Sequence, residues 1–355
     1  MVKRVSEAGN TGHAGTTQQV LDGALPEAIQ AAAHTLAAGE LVGLPTETVY
    51  GLAARADQDA AVAKIFAAKG RPSDHPLIVH VLDEQGARHF AQDLPPVAHR
   101  LVEAFWPGPL TLIVQRRPGM ANAATGGHAT VGLRSPSHPV ARALMAACRD
   151  RGVEGLAAPS ANRFGRVSPT LAAHVAEEFG PGLLVLDGGA CDVGIESTIV
   201  DCSRGYPVLL RPGVLTPAQI EAAAGEPLRA PDRQAPKASG TLAAHYAPRA
   251  VVRLLPSEAL QQALAGRKPA GLAVYSRTAL AGEAFAEVTH RTMPGHAKAA
   301  ARELFAVLRE LDAAGAVQIW VEAPPEDAAW DGVRDRLSRA AAAFASPEFD
   351  DLENS

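Results

Sequence analysis

The chain has 355 residues, 47% of them hydrophobic and 20% charged, with 33 basic against 38 acidic side chains and a net charge of −5. That length exceeds one ordinary core and that composition excludes a fibrous or largely disordered protein, while the acidic balance excludes adhesion to nucleic acid by bulk charge. No stretch approaches the roughly 18 apolar residues of a membrane span, and three scattered cysteines (Cys148, Cys191, Cys202) with no C-x-x-C argue against a disulfide framework or a zinc site and for a reducing, cytoplasmic compartment.

Residues 1–24 begin with a polar Gly-, Thr- and Ser-rich run without an apolar leader core, and are expected to form a disordered tail. Leu25 to Ala38 reads as a helix with Pro26 in its first turn and Gly39 as its stop. Glu40 to Leu44 is a short apolar strand, and Ala60 to Lys69 a helix ended by Gly70 and Pro72. Leu77 to Val81, Leu110 to Val114, Thr130 to Leu133, Gly155 to Ala158, Leu183 to Leu186, Ser197 to Asp201 and Pro207 to Leu210 read as strands. Helices are expected at Pro96 to Phe105, Val140 to Cys148, Pro169 to Glu178 and after Thr216.

Gly225 to Leu242, rich in Ala, Pro, Gly and charge, carries no sustained apolar period and reads as a connector. Beyond it, strands at Val251 to Leu255, Leu272 to Tyr275 and Val317 to Val321 alternate with helices at Ala297 to Ala313 and Val333 to Phe344. The expected fold class is therefore mixed α/β: a twisted mixed sheet over residues 25–217, a connector over 218–249, and a small Rossmann-like three-layer α/β domain over 250–346 before a tail at 347–355. The second domain is expected to position the connector and to influence product release.

Standard nucleotide signatures are absent: the sequence has no Gly-Lys dipeptide for a phosphate loop, no G-x-G-x-x-G after a strand and no H-E-x-x-H. Polar clusters instead stand where strands end, the usual place for a site in an open α/β sheet. Pro45-Thr46-Glu47-Thr48 offers hydroxyls and backbone amides, though it equally suits a capping turn. Lys69-Gly70-Arg71-Pro72-Ser73 places two cations and a hydroxyl in one turn, suited to polyphosphate and also to a helix C-terminus. His80 interrupts an apolar strand, Arg134 and Arg211 end strands, and Ser160, Asn162 and Ser168 sit among small residues that let a ligand approach the backbone. His245-Tyr246-Ala247-Pro248 lies in the connector.

The order P-T-E-T-V-Y-G (45–51), K-x-R-P (69–72), P-L-I-V-H (76–80), W-P-G-P-L-T (106–111), P-S-A-N (159–162), S-P-T (168–170), E-S-T-I-V-D (196–201), L-R-P-G (210–213) and H-Y-A-P (245–248) resembles the threonylcarbamoyl-AMP synthase family, in its long form with a YrdC-like domain and a C-terminal domain. The match extends to Asp335-Arg336-Leu337-Ser338-Arg339. The resemblance implies that L-threonine, bicarbonate or CO2 and ATP give threonylcarbamoyl-AMP and pyrophosphate. A separate transferase complex would then pass the group to adenosine 37 of tRNA. It assigns Thr46, His80, Arg134 and Ser197 to threonine, and Lys69, Ser73, Thr130, Ser160, Asn162, Ser168, Arg211 and Tyr246 to ATP. Lys69 and Arg71 would offset phosphate charge in catalysis, and Mg2+ is expected with ATP, with no protein ligand identified. Two departures are Ser239, where the family usually has Pro before Gly, and Arg55, where a small or acidic residue is usual.

Three other readings compete. An RNA-binding module without turnover sits poorly with the charge balance, which implies weak or indirect tRNA contact. A carbamoyl-adenylate former of the hydrogenase-maturation type would need further zinc-finger-like parts. A paralogue that had lost synthesis would lack the K-x-R and S-x-N elements, present here at Lys69/Arg71 and Ser160/Asn162.

Overall fold

Two sheets organise the chain, one mixed and one wholly parallel. A computed structural model describes residues 19–278 and 288–344. The first sheet contains β1 (Gln19–Asp22), β2 (Val42–Leu44), β3 (Gly51–Arg55), β4 (Ile78–Val81), β5 (Leu110–Gln115), β6 (Thr130–Arg134), β7 (Gly155–Ala157), β8 (Leu184–Asp187), β9 (Thr198–Asp201) and β10 (Val208–Arg211). Their spatial order is β1-β8-β2-β3-β7-β4-β6-β5-β9-β10. Its helices are α1 (Pro26–Ala37), α2 (Asp59–Lys69), α3 (Glu84–Phe90), α4 (Pro96–Phe105), α5 (Pro139–Arg149), α6 (Ala172–Phe179) and α7 (Pro217–Ala224).

Side-chain alternation splits this sheet between two cores. On β3, Ala53 faces one core while Leu52 and Ala54 face the other. The first core takes the stripe Ala28, Ile29, Ala32, Ala33 and Leu36 of α1 together with Val140, Leu144 and Cys148 of α5. The second collects Ile65 of α2, Phe90 of α3 and Leu101 of α4 against Val79, Leu112 and Val114.

The second sheet has β11 (Val251–Leu255), β12 (Leu272–Ser276), β13 (Thr289–Thr292) and β14 (Gln318–Glu322), all parallel, in the order β11-β14-β12-β13. Leu272, Val274 and Trp320 point toward α8 (Ser257–Ala265), while Ala273, Tyr275, Ile319 and Val321 point toward α9 (Ala297–Ala313) and α10 (Asp331–Ala342). That period of two makes the three layers expected from the sequence.

The two halves share an apolar seam, in which Val49, Val167 and Ile195 pack in one cluster with Tyr246, Phe305, Val333 and Leu337. Two glycines let backbone meet backbone there. A Cβ on Gly194 (φ +81°) would fall 2.3 Å from the Arg302 carbonyl oxygen, and one on Gly332 2.6 Å from the Gly213 carbonyl oxygen.

Several expectations are revised. The N-terminal tail does not run free to residue 24, because β1 pairs in parallel with β8, Val20 opposite Val185; residues 1–18 and 345–355, including the expected C-terminal tail, lie outside the described residues. Pro169 to Leu171 are not helical, since the Pro169 carbonyl accepts from Tyr50 N and holds this segment against the sheet. The span 218–249 begins inside α7, which is closed by a capping box between Thr216 and Gln219. Gly51 to Arg55, α3, α8 and β13 are elements the sequence reading left unassigned.

Candidate active site

Strand ends and the connector line a pocket that is partly open to solvent. Its two cationic poles come from different elements. At one, β4 and β6 run parallel with His80 directly beside Arg134 in register. Arg134 is buried and partly satisfied: Nε donates to Gly108 O at 3.3 Å, Nη1 donates to Thr48 Oγ1 at 2.8 Å, and Nη2 stands 2.7 Å from Glu47 Oε1. The last contact is close but poorly aligned, so both atoms keep hydrogen-bonding capacity unspent within the structure.

Thr46 folds its own turn. Its Oγ1 donates to Val49 O at 2.6 Å and accepts from Val49 N at 3.2 Å. Thr46 caps no helix, since the chain runs from β2 through this bend into β3; its hydroxyl holds the bend and lines the pocket. His80 is buried with no partner on Nδ1. Burial, and then the Arg134 charge, push it down to about 3, so it presents a neutral imidazole.

At the other pole, Arg71 follows Gly70, whose left-handed conformation (φ 62°) terminates α2. Arg71 Nη2 donates to Pro76 O at 3.1 Å and to Ser239 Oγ at 3.4 Å, while its buried Nε has no partner. Burial lowers its pKa to about 10, which leaves it cationic at neutral pH. Arg211, at the end of β10, donates through Nε and Nη2 to Ser197 O at 3.1 and 2.9 Å, and through Nη1 to Ser239 O at 2.8 Å. Ser197 Oγ lies 2.7 Å from Thr111 Oγ1. Ser239, the departure from the family's usual Pro, therefore contacts both cations and lies on the pocket wall. Arg55, the other departure, pairs with Asp57 at 2.8 Å away from the site.

Tyr246 closes the pocket from the connector. It is a non-glycine residue at φ 62°, fully buried, with its Oη toward Gly240 O at 3.5 Å. Burial pushes its phenol up to about 12. Gly240 (φ +72°) is required by this approach, since a Cβ there would sit 2.3 Å from Tyr246 Oη and 2.8 Å from Arg211 Nη1.

Of the residues singled out in the sequence, Thr46, Arg71, His80, Arg134, Ser160, Ser197, Arg211 and Tyr246 line this pocket. Lys69, Asn162 and Ser168 stand behind the wall. Lys69 is buried, and its Nζ donates to Ser160 O at 2.6 Å and closely to Asn162 O, which anchors the P-S-A-N loop. Burial, reinforced by Arg71, lowers Lys69 to about 7. Asn162 Nδ2 donates to Arg163 O and Arg166 O at 2.7 and 2.9 Å. Ser168 Oγ donates to Glu196 Oε1 at 2.5 Å. Ser73 is exposed and Thr130 half-buried at the start of β6, both off the pocket wall.

The pocket also has residues the sequence reading did not assign: Thr48, Glu196, Ser239, Gly240 and His245 line it. Thr48, Glu196 and His245 sat inside the quoted motifs, so their signal was present. Ser239 and Gly240 lay in the segment noted for its departure from the family's usual Pro, but only the folded connector brings them to the cations.

Fold and site together define an α/β protein with a strand-end pocket, arginines at two of its sides and a tyrosine-bearing connector beside it. Comparison with known proteins places this class. Residues 34–213 match the Sua5–YciO–YrdC family model, described as "Telomere recombination". Residues 215–342 match the model described as "Threonylcarbamoyl-AMP synthase, C-terminal domain". The chain belongs to the Sua5–YciO–YrdC family, in the form that carries this C-terminal domain.

Among its relatives, the threonylcarbamoyl-AMP synthase of Pyrococcus abyssi is 43% identical over 230 residues, 63% of this chain and 66% of that protein. The Bacillus subtilis threonylcarbamoyl-AMP synthase is 44% identical over 232 residues, 63% of this chain and 65% of that protein. The matched region thus spans just under two thirds of these relatives. The crystal structure of P. abyssi Sua5 complexed with L-threonine superposes with a TM-score of 0.78 at 36% identity, covering 89% of this chain and 94% of that one. A variant of the same archaeal protein with a His and a Tyr replaced by Ala gives 0.76 at 34% identity, covering 89% and 93%.

Proposed function

We propose that the chain is an L-threonylcarbamoyladenylate synthase, a nucleotidyltransferase acting on L-threonine, bicarbonate or CO2, and ATP. The observation that carries this reading is the pocket's polarity. Arg134, His80, Thr46 and Ser197 offer a cation and hydrogen-bonding groups to an amino acid, and Arg71 and Arg211 offer cations to phosphates, in one pocket that Tyr246 also lines. Its similarity to a relative crystallised with L-threonine supports threonine as a substrate.

In the proposed reaction, the threonine amine adds to CO2 and loses a proton to give a carbamate. A carbamate oxygen then attacks the α-phosphorus of ATP; the bond to pyrophosphate breaks and its electron pair leaves with pyrophosphate. No covalent enzyme intermediate is required. Arg134 would hold the threonine carboxylate, and neutral His80 would hydrogen-bond the amino acid without adding charge. Arg71 and Arg211 would stabilise the charge that builds on the departing phosphates. Lys69 would act by fixing the Ser160–Asn162 loop and by accepting a proton as phosphates approach.

Mg2+ does not find a protein cage here. Among the described residues no group of three or more His, Cys, Asp and Glu is arranged to hold a metal, and the pocket carboxylate Glu196 is engaged by Ser168. Mg2+ would enter on ATP, held by phosphate oxygens and water. The product would pass to a tRNA threonylcarbamoyl transferase complex, with tRNA contact by this chain weak or indirect, in the cytoplasm. No helix of the described residues is long and apolar enough to cross a membrane.

The test is pyrophosphate release from Mg-ATP with and without L-threonine and bicarbonate. Release that requires both supports the reading. Threonine-independent behaviour in folded protein sinks it, and salt-sensitive RNA affinity without turnover would point to the RNA-binding alternative.

A further inference from the structure

One buried arginine of the C-terminal domain reaches the pocket's supports. Arg336, on α10, has no exposed side-chain surface. Its Nε donates to Glu196 Oε2 at 2.8 Å, its Nη2 to the Glu196 carbonyl at 3.2 Å, and its Nη1 to Pro212 O at 2.8 Å and Asp335 Oδ2 at 2.7 Å. Its guanidinium carbon also stands 5.4 Å from the centroid of the Tyr246 ring. One rigid fork therefore touches the carboxylate that receives Ser168, the segment carrying Ser197, the residue after Arg211, and the connector tyrosine.

We infer that Arg336 is a positioning residue of the pocket, through which docking of the C-terminal domain sets Glu196, Ser168 and Tyr246 for turnover. Mere adhesion between the halves would not need this geometry. The apolar seam of Phe305, Val333 and Leu337 already joins them, and burying a cation so fully is costly unless its partners are fixed. Burial by itself would raise the Glu196 carboxyl; Arg336 and then Arg211 reverse that and hold it below its ordinary range, so the pocket keeps a fixed anion beside its cations. Tyr246 has a left-handed backbone conformation that surrounding contacts must hold, and the Arg336 face is one of them.

This inference rests on the synthase reading for its kinetic readout but has a second readout that needs no turnover. The full-length chain has four tyrosines, Tyr50, Tyr206, Tyr246 and Tyr275, so 3-fluorotyrosine labelling gives four fluorine signals, with that of Tyr246 identified by Tyr246→Phe. Arg336→Met is expected to move the Tyr246 signal while those of Tyr50 and Tyr206 stay. It should lower kcat by about 10- to 100-fold with KM for L-threonine within about threefold. Arg336→Lys, which keeps charge but not the fork, should recover part of kcat. Glu196→Gln should change both readouts in the same direction, and adding Arg336→Met to it should cost less than in the parent.

Should the Met variant not fold, the Lys and Gln variants carry the same comparison. Folded variants with the Tyr246 signal in place and kcat within about twofold of the parent would overturn the inference and leave Arg336 a fastener between domains. If the parent itself releases no threonine-dependent pyrophosphate, the synthase reading fails, and the fluorine signal alone decides the role of Arg336.

Discussion

Lys69 and Arg134 are both buried cations, and the structure gives them opposite duties. Lys69 sits at about 7 because burial and Arg71 disfavour its charge. At pH 8 it is mostly neutral in the free protein, and a polyphosphate nearby favours the cation. Binding of ATP near pH 8 is therefore expected to take up a proton, an effect that Lys69→Ala abolishes; calorimetry in buffers of different ionisation enthalpy checks it. Arg134 instead lives in a buried pair with Glu47. Arg134→Gln leaves that carboxylate without its cation and is expected to destabilise the fold by about 3 kcal/mol, with part recovered by adding Glu47→Gln, read by urea unfolding. The sequence named Arg134 and Arg211 as cations at strand ends, His80 as a polar residue within an apolar strand, and Lys69 as a cation at a helix end. It could not separate Lys69, which braces a loop, from Arg71, which faces the pocket: two residues apart, they diverge only because Gly70 turns the chain between them.

Elements with a strong period were legible and those held by neighbours were not. The stripe of α1 and the long α9 carry their own amphipathic pattern. Gly51 to Arg55 reads Gly-Leu-Ala-Ala-Arg, with no β-branched residue, and is a strand because β2 and β7 flank it. β13, Thr-His-Arg-Thr, is a mostly exposed edge strand without an apolar face, so nothing in its composition announced it. The connector carries the sharpest element-scale prediction. Gly240→Ala forces a Cβ onto Tyr246 Oη and Arg211 in a backbone conformation that disfavours L side chains. Turnover is expected to fall about tenfold or more while fold stability drops by only about 1 kcal/mol, measured by steady-state kinetics beside thermal unfolding.

At the scale of the molecule, the sequence predicted two α/β units but not how they meet. The seam is written in single residues, Val49, Val167 and Ile195, far apart in the first half, and in two glycines whose partners are backbone atoms. A chain cut after Arg249 would expose this apolar face and lose Arg336 with it. Such a fragment is expected to bind a hydrophobic dye and to release no threonine-dependent pyrophosphate. A soluble, fully active fragment would contradict both expectations. Gly194→Ala, aimed at the carbonyl of Arg302, is expected to loosen the same seam, seen as faster proteolysis in the connector.

The pairing of β1 with β8 also bears on how the protein is made. As the ribosome extends the chain, Gln19–Asp22 has no strand to join until Leu184–Asp187 has been synthesised. β5 can pair early with β6 but gains its other neighbour only when β9 has been made. Much of the first sheet must therefore close late, from distant segments, which slows folding and leaves strand edges open on the nascent chain. The last helix among the described residues, α10, brings the buried arginine that reaches back to Glu196. A partly made chain thus has neither a closed sheet nor a finished pocket, and chaperone dependence should be greatest before the C-terminal helix leaves the exit tunnel.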